Sequence, residues 1–191
     1  MNKNRVYIIA EIGPNHNGSF ELAKKMINLL KHSDIDAIKF QIADPYKVYS
    51  KDAFKADYQK KNTASGSILE MSRGYQLSKL EHLKLSKLCK KNKVDYMCSA
   101  FDLGSLKFLV KKAKINTIKI PSGEIISLDI LKYISSLKKK IILSTGMSTL
   151  NEIKSAMKIL NSNFKKKIIL MHCVSSYPAE KKTLNLNLIK K

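Results

Sequence analysis

The segment Ile118-Lys119-Ile120-Pro121-Ser122-Gly123-Glu124 sets a cation, a hydroxyl, a glycine and a carboxylate close together in the chain. That set suits an anionic substrate whose reaction also moves a proton. Alternation through Thr117-Ile118-Lys119-Ile120 puts the two isoleucines on one face of a strand and Thr117 and Lys119 on the other. Pro121 removes a backbone donor and ends the ladder, so Ser122 to Glu124 form a turn at the strand's C-terminal end, the end at which α/β enzymes carry their chemistry. The same residues could serve as a solvated surface turn, or Glu124 could simply pair with Lys119. What argues against both is recurrence. Lys39 and Gln41 share the face opposite Ile38 and Phe40, Glu11 closes an apolar run, and Ser99, Ser144 and Ser175 follow three more such runs. A lysine on the inward face of an apolar strand is costly unless an anion meets it.

The elements that must position these residues read as alternating strands and helices. Strands are expected over 6–10, 37–41, 94–98, 117–120, 140–143 and 168–171. The spacing predicts helices between them: one from the N-cap Ser19 with Leu22, Met26, Leu29 and Leu30 on one face, one over 77–89 with Leu80, Leu83, Leu85 and Leu88 inside, then 103–112, 128–137 and 149–160, the last opened by a Thr149/Glu152 capping box. The polar stretch 43–67 exceeds an ordinary connection and is a candidate lid or insertion. Strict βα alternation means a parallel sheet with helices outside it. An open doubly wound sheet would favour a Gly-rich phosphate turn after its first strand, and Gly13 and Gly18 around Pro14 and His16 do not make one. Inward polar residues at every strand end suit instead an α/β, TIM-type (β/α)8 barrel, incomplete, with six of its eight βα units present.

Composition bounds the alternatives. A length of 191 residues with 44% apolar content is one domain with a real core. The formal charge of +21 invites nucleic acid or a membrane surface, yet only Arg5 and Arg73 among 36 basic residues are arginines, the type whose planar fork reads phosphates and bases. The lysines fall on polar faces of periodic segments, a compositional bias. Neither partner is expected. Cys89, Cys98 and Cys173 are odd in number, lack metal-ligand spacing and sit in apolar segments, which fits buried reduced thiols in a cytoplasmic protein. No apolar stretch is long enough to span a membrane.

Taken in order, the motifs Glu11-Ile12-Gly13 with Asn15-His16-Asn17-Gly18, Lys39-Phe40-Gln41, Ser99-Ala100-Phe101-Asp102, Lys119 to Glu124, Ser144-Thr145-Gly146-Met147 and His172 to Pro178 resemble the sialic acid synthases. These enzymes condense phosphoenolpyruvate with an N-acetylated amino sugar such as N-acetylmannosamine, releasing phosphate and a nine-carbon 2-keto-3-deoxy acid. The resemblance runs from Ile8 to the end of the chain. It implies a phosphoenolpyruvate pocket lined by Lys39, Ser99, Lys119, Ser122, Ser144 and Ser175, with Glu124 as acid/base carboxylate and Glu11, Gln41 and Tyr177 on the sugar side. Lys119 would offset charge as the intermediate forms. It also implies a divalent manganese or magnesium ion held by two histidines of later strands, beyond this chain; neither His16 nor His172 is assigned to a metal. A homodimer and a small C-terminal antifreeze-like domain belong to the complete enzyme, and that domain is absent from residues 1–191. Ser99-Ala100 departs from the family's threonine-proline at this point but keeps the hydroxyl. Two other readings stay open: a Schiff-base aldolase using Lys39 or Lys119, and a non-catalytic binder of a phosphate ligand.

Overall fold

The computed structural model describes residues 5–190 apart from 51, 57, 58, 61–65, 164 and 166. Six strands lie side by side in sequence order: β1 (Ile9–Glu11), β2 (Ala37–Ile42), β3 (Asp95–Ala100), β4 (Thr117–Ile120), β5 (Lys140–Ser144) and β6 (Ile168–Met171). Every neighbouring pair is parallel. The helices α1 (Phe20–Leu30), α2 (Pro45–Val48), α3 (Ile68–Tyr75), α4 (Lys79–Lys91), α5 (Leu103–Phe108), α6 (Leu128–Ser135) and α7 (Leu150–Leu160) run between them. Sequential parallel neighbours with helical crossovers are an incomplete (β/α) barrel, with β1 and β6 as its edges.

Strand alternation divides the core. Ile38 and Phe40, Tyr96 and Cys98, Ile118 and Ile120, and Ile141 and Leu143 point outward and join Ile27, Leu85, Leu109, Leu131, Ile134 and Leu160 of the helical layer in one cluster. Each of these large side chains, taken fully out of water, contributes about 1.5–3 kcal/mol. A small second cluster, Ala37, Met97 and Ile142 with Ile9 against it, fills the inner face. Toward β6 the burial fails: Ile169 and Leu170 are each 49% exposed.

Helix starts are set by side-chain caps. Ser19 accepts from the Leu22 amide, and the Thr149/Glu152 capping box is present as expected; Ser67/Glu70 and Ser78/Glu81 make two more boxes. Such caps contribute on the order of 1 kcal/mol each. The box at Ser78 corrects the 77–89 helix to Lys79–Lys91, and its buried face is His82, Leu85 and Cys89, while Leu80 is exposed. In α1 the buried residues are Ala23 and Ile27, so Leu29 falls on the solvent side. The helix expected over 103–112 is α-helical only to Phe108, continues as a π-helical turn over Leu109–Ala113, and stops at left-handed Lys114. The helix expected to reach 137 ends at Ser135.

The strand bounds differ in one consistent way. Val6, Tyr7 and Ile8 precede β1 and are exposed, because the partner strand begins only at Ala37; the Asp36 carboxylate takes the Ile8 amide instead, at 2.7 Å. At the other ends Glu11, Ser99 and Ser144 belong to the ladder itself, paired with Lys39, with Gln41 and Lys119, and with Met171. Within 43–67 the structure forms α2, capped by Asp44; positions 51, 57, 58 and 61–65 of that candidate lid lie outside the described residues.

Candidate functional site

The inner face of the sheet, at the C-terminal ends of its strands, carries most of the residues singled out from sequence. Register sets them in rows: Glu11 beside Lys39, then Gln41, Ser99 and Lys119 beside one another, then Ser144 at the end of β5. Lys39 and Lys119 are each 8% exposed, and Ser99 and Ser144 are buried. Two ammonium groups are thus held in a nearly dry place by alternation alone, since the same strands must present Ile38, Phe40, Ile118 and Ile120 to the helices.

Each cation is only partly compensated. Lys39 Nζ is ion-paired with the Glu11 carboxylate and lies 3.5 Å from Ser99 Oγ. Lys119 Nζ donates to Ser144 Oγ at 2.5 Å and to the Ile120 carbonyl at 3.2 Å, with no carboxylate partner among the described ion pairs. Burial, and after it the charge of Lys39, lowers the Lys119 pKa to about 8. The site therefore favours a charged Lys119 most when an anion is present.

The turns after β4, β5 and β6 close over this row. Ser122 Oγ accepts from the Gly146 amide at 3.0 Å. Cys173 Sγ donates to Ser144 Oγ at 3.3 Å. A Cβ on Gly146 would meet Ser175 Oγ and would lie 3.0 Å from Ser122 Oγ, so the hydroxyls of two different loops converge on one residue that has no side chain. A Cβ on left-handed Gly13 would lie 3.2 Å from Glu11 Oε1 and 3.3 Å from Gln41 Nε2, which brings the two sugar-side candidates together over that glycine.

Two candidates stand apart. Glu124, half-buried on the Ser122–Glu124 turn, accepts a 2.5 Å hydrogen bond from Ser127 Oγ. It faces a hollow of about 400 Å³ that Lys47, Asp102, Lys107 and Asp129 also line. No ion pair among the described residues joins it to Lys119. Burial raises its pKa, with Asp129 and Asp102 adding in the same direction and the Ser127 bond opposing them. Tyr177 is 69% exposed on the loop after β6.

Sequence reasoning passed over Gly146 and Cys173. Cys173 was expected to be buried; it is half-buried with its thiol turned to Ser144, while Cys89 and Cys98 are buried and burial pushes both thiols up to about 12. Gly146 sits inside the motif Ser144-Thr145-Gly146-Met147, where the serine is the group with chemistry to offer. Neither residue type gives a sequence signal of its own. His16 is buried, with Nδ1 accepting from the Gly18 amide at 3.1 Å, and His172 Nε2 lies 2.6 Å from the Leu184 carbonyl. Among the described residues no group of three or more His, Cys, Asp or Glu side chains is placed to hold a metal ion. Nor is any helix among them long and apolar enough to cross a membrane.

Comparison with known proteins places this geometry. The chain is 42% identical over 185 residues to an N,N'-diacetyllegionaminic acid synthase of Campylobacter jejuni, an alignment covering 95% of this chain and 55% of that protein. It is 36% identical to an N-acetylneuraminate-9-phosphate synthase of Drosophila melanogaster, covering 96% of this chain and 49% of the relative. The chain thus spans about half the length of the curated relatives it matches. The crystal structure of an N-acetylneuraminic acid synthetase from Leptospira borgpetersenii superposes with a TM-score of 0.85 at 30% identity, over 98% of this chain and 60% of that one. The model of the NeuB family matches residues 26–191, and the chain belongs to that family.

Proposed function

We propose that this chain forms the phosphoenolpyruvate-binding part of a synthase that joins that anion to an N-acetylated amino sugar. The observation that carries the reading is the direction of the hydrogen bonds. Ser99, Ser122 and Ser144 each have their oxygen taken by a protein donor: Lys39, the Gly146 amide and Lys119 respectively. A hydroxyl whose oxygen already accepts has its own proton left to give. Three such protons and two ammonium groups are a set of donors, and the ligand they fit is one made of acceptors, with a carboxylate and a phosphate.

In the reaction, C3 of phosphoenolpyruvate bonds to the aldehyde carbon of the open-chain sugar, water adds at C2, and phosphate departs with cleavage of its C–O bond. Lys39 and Lys119 hold the anion's charge through these steps, and Glu124, whose pKa is raised by burial, would exchange a proton with the tetrahedral centre at C2. Glu11 and Gln41, meeting over Gly13, would face the sugar's hydroxyls, with Tyr177 at the rim, and Ser175 would stand beside Ser122 on the anion's side. The resemblance implies that the ligands of a divalent ion for the aldehyde lie on later strands than those of this chain. The products for which the relatives are named differ, so the acceptor is assigned only as an N-acetylated amino sugar.

The test is calorimetric titration with phosphoenolpyruvate, paired with an assay of keto-acid formation. Lys119→Ala should weaken binding by about 1.5–3 kcal/mol, the scale of a hydrogen bond to a charged group. Glu124→Gln should bind nearly as the parent does and turn over roughly 10² to 10⁴ times more slowly. Affinity should be level between about pH 7 and 8, where the ligand's phosphate is fully ionised, and fall above it as Lys119 loses its proton. Unchanged binding in Lys119→Ala would sink the reading. A second reading is favoured by the same lowered lysine, since an amine near its pKa is a nucleophile and could form a Schiff base. Borohydride trapping with a keto acid decides: a covalent adduct on Lys119 would replace the first reading with that one.

A further inference from the structure

We infer that Gly146 is a positioning residue for anion binding: by lacking a side chain it sets the spacing of Ser122 and Ser175, which come from the turns after β4 and β6. The inference rests on the reading of the site as a cradle for phosphoenolpyruvate. A Cβ built on Gly146 runs into Ser175 Oγ, stands 3.0 Å from Ser122 Oγ and touches Cys173 Cβ at 3.4 Å. Its φ is not in the left-handed region, so the demand for glycine here is one of space and not of backbone conformation.

The backbone cannot retreat from such a collision, because it is tied on both sides. The Thr145 amide and hydroxyl both donate to the Met171 carbonyl of β6, at 3.2 and 2.9 Å. The Gly146 amide donates to Ser122 Oγ at 3.0 Å, and its carbonyl accepts from Ser148 Oγ at 3.0 Å. Ser175 is exposed on its loop, so it is the group that must move. A methyl at 146 therefore drives Ser175 away from Ser122 and strains the bond that orients the Ser122 hydroxyl. Gly146 touches no ligand in this account; it acts through the two serines.

Four proteins test it by calorimetric titration with phosphoenolpyruvate and with inorganic phosphate, alongside thermal unfolding: the parent chain, Gly146→Ala, Ser175→Gly, and the double variant Gly146→Ala/Ser175→Gly. Gly146→Ala should bind phosphoenolpyruvate at least tenfold more weakly than the parent with a thermal midpoint within a few degrees of it. In the Ser175→Gly background, where the obstructing hydroxyl is gone, the same change should cost less than threefold. A purely structural glycine would give the same loss in both backgrounds, the additivity of independent sites, and that result overturns the inference. So does Gly146→Ala binding as the parent does, or unfolding in both backgrounds. A parent that takes up inorganic phosphate but not phosphoenolpyruvate overturns the substrate reading alone, and the four proteins then score Gly146 against phosphate. A parent that takes up neither overturns both.

Discussion

The two faces of this sheet are built from the same strands and want opposite things. On the outer face Ile38, Phe40, Ile118, Ile120, Ile141 and Leu143 are at most 1% exposed and find their partners in the helices. One residue along each strand, on the inner face, stand Lys39 and Lys119, nearly as deeply buried but with one carboxylate, from Glu11, between them among the described ion pairs. The outer face finds its partners within the chain; the inner face holds two buried ammonium groups against one carboxylate, the surplus charge that the proposed anion would meet. A slip of one residue in register would carry both lysines under the helices and the isoleucines into the cradle, so the packing of one face is what fixes the chemistry of the other.

The sharpest break between the faces should appear at two adjacent residues. Ile118→Ala removes a buried side chain from the outer cluster and should cost about 2–5 kcal/mol by urea unfolding, enough to threaten a fold of ordinary stability. Lys119→Met removes a buried cation that lies near Lys39, so stability should hold to within about 1 kcal/mol or rise, while anion binding weakens by about 1.5–3 kcal/mol. Equal destabilisation by both substitutions would mean that the inner face supports the fold and the division drawn here is false.

This division also explains what could be read from the sequence. The outer face was legible because period-2 alternation of Ile and Phe against Lys and Gln marks strand and orientation together, and β2 and β4 fall close to where that pattern puts them, while β6 coincides with a continuous apolar run. Polar inward residues misled at strand ends: Ser99 and Ser144 look like the start of loops, yet the ladder continues through them because their side chains have donors to meet inside. At β1 the error ran the other way, since apolar Val6 to Ile8 look like strand but reach past the start of β2. The cradle's members were nameable from type and position. Its closure was not, because the contact of Gly146 with Ser122 and Ser175 joins three turns and leaves no trace in spacing.

The outer face has a polar intrusion at His82 that should make the fold sensitive to acid. His82 of α4 is fully buried, with Nδ1 2.7 Å from the Tyr96 hydroxyl, Phe40 edge-on to its ring, and Nε2 without a hydrogen-bond partner among the described residues. Burial, and next the neighbouring His16, lowers its pKa to about 4, with Glu81 opposing. The native state thus keeps His82 neutral while the unfolded chain protonates it near 6.5. Its contribution is whole above pH 6.5 and is lost as pH falls toward 4, in total about 3 kcal/mol. His16 shifts in the same direction. Thermal midpoints measured from pH 7 to 4 should fall less steeply in His82→Phe than in the parent, even though the variant starts lower for want of a partner to Tyr96. Parallel curves would show that the acid sensitivity arises elsewhere.

The smallest effect is expected where the two faces meet. The turn after β5 carries Ser144 and Gly146 from the inner face to α7 on the outer one, and its hinge is Met147, a residue with a side chain held at a φ of 56° and 78% exposed. The left-handed conformation costs an L-residue roughly 1–2 kcal/mol, which glycine does not incur. Glycine at this position gives back about 0.4–1 kcal/mol through the greater freedom of the unfolded chain. Met147→Gly should therefore raise stability by about 0–1.6 kcal/mol. Ser148 still holds the Gly146 carbonyl and Thr145 still holds Met171, so the anion's affinity should not change. Denaturant unfolding and phosphoenolpyruvate titration of the one variant read both quantities. Weakened binding without lost stability would mean that Met147 itself helps set the cradle, and that the turn answers to the inner face as well as to the helix it precedes.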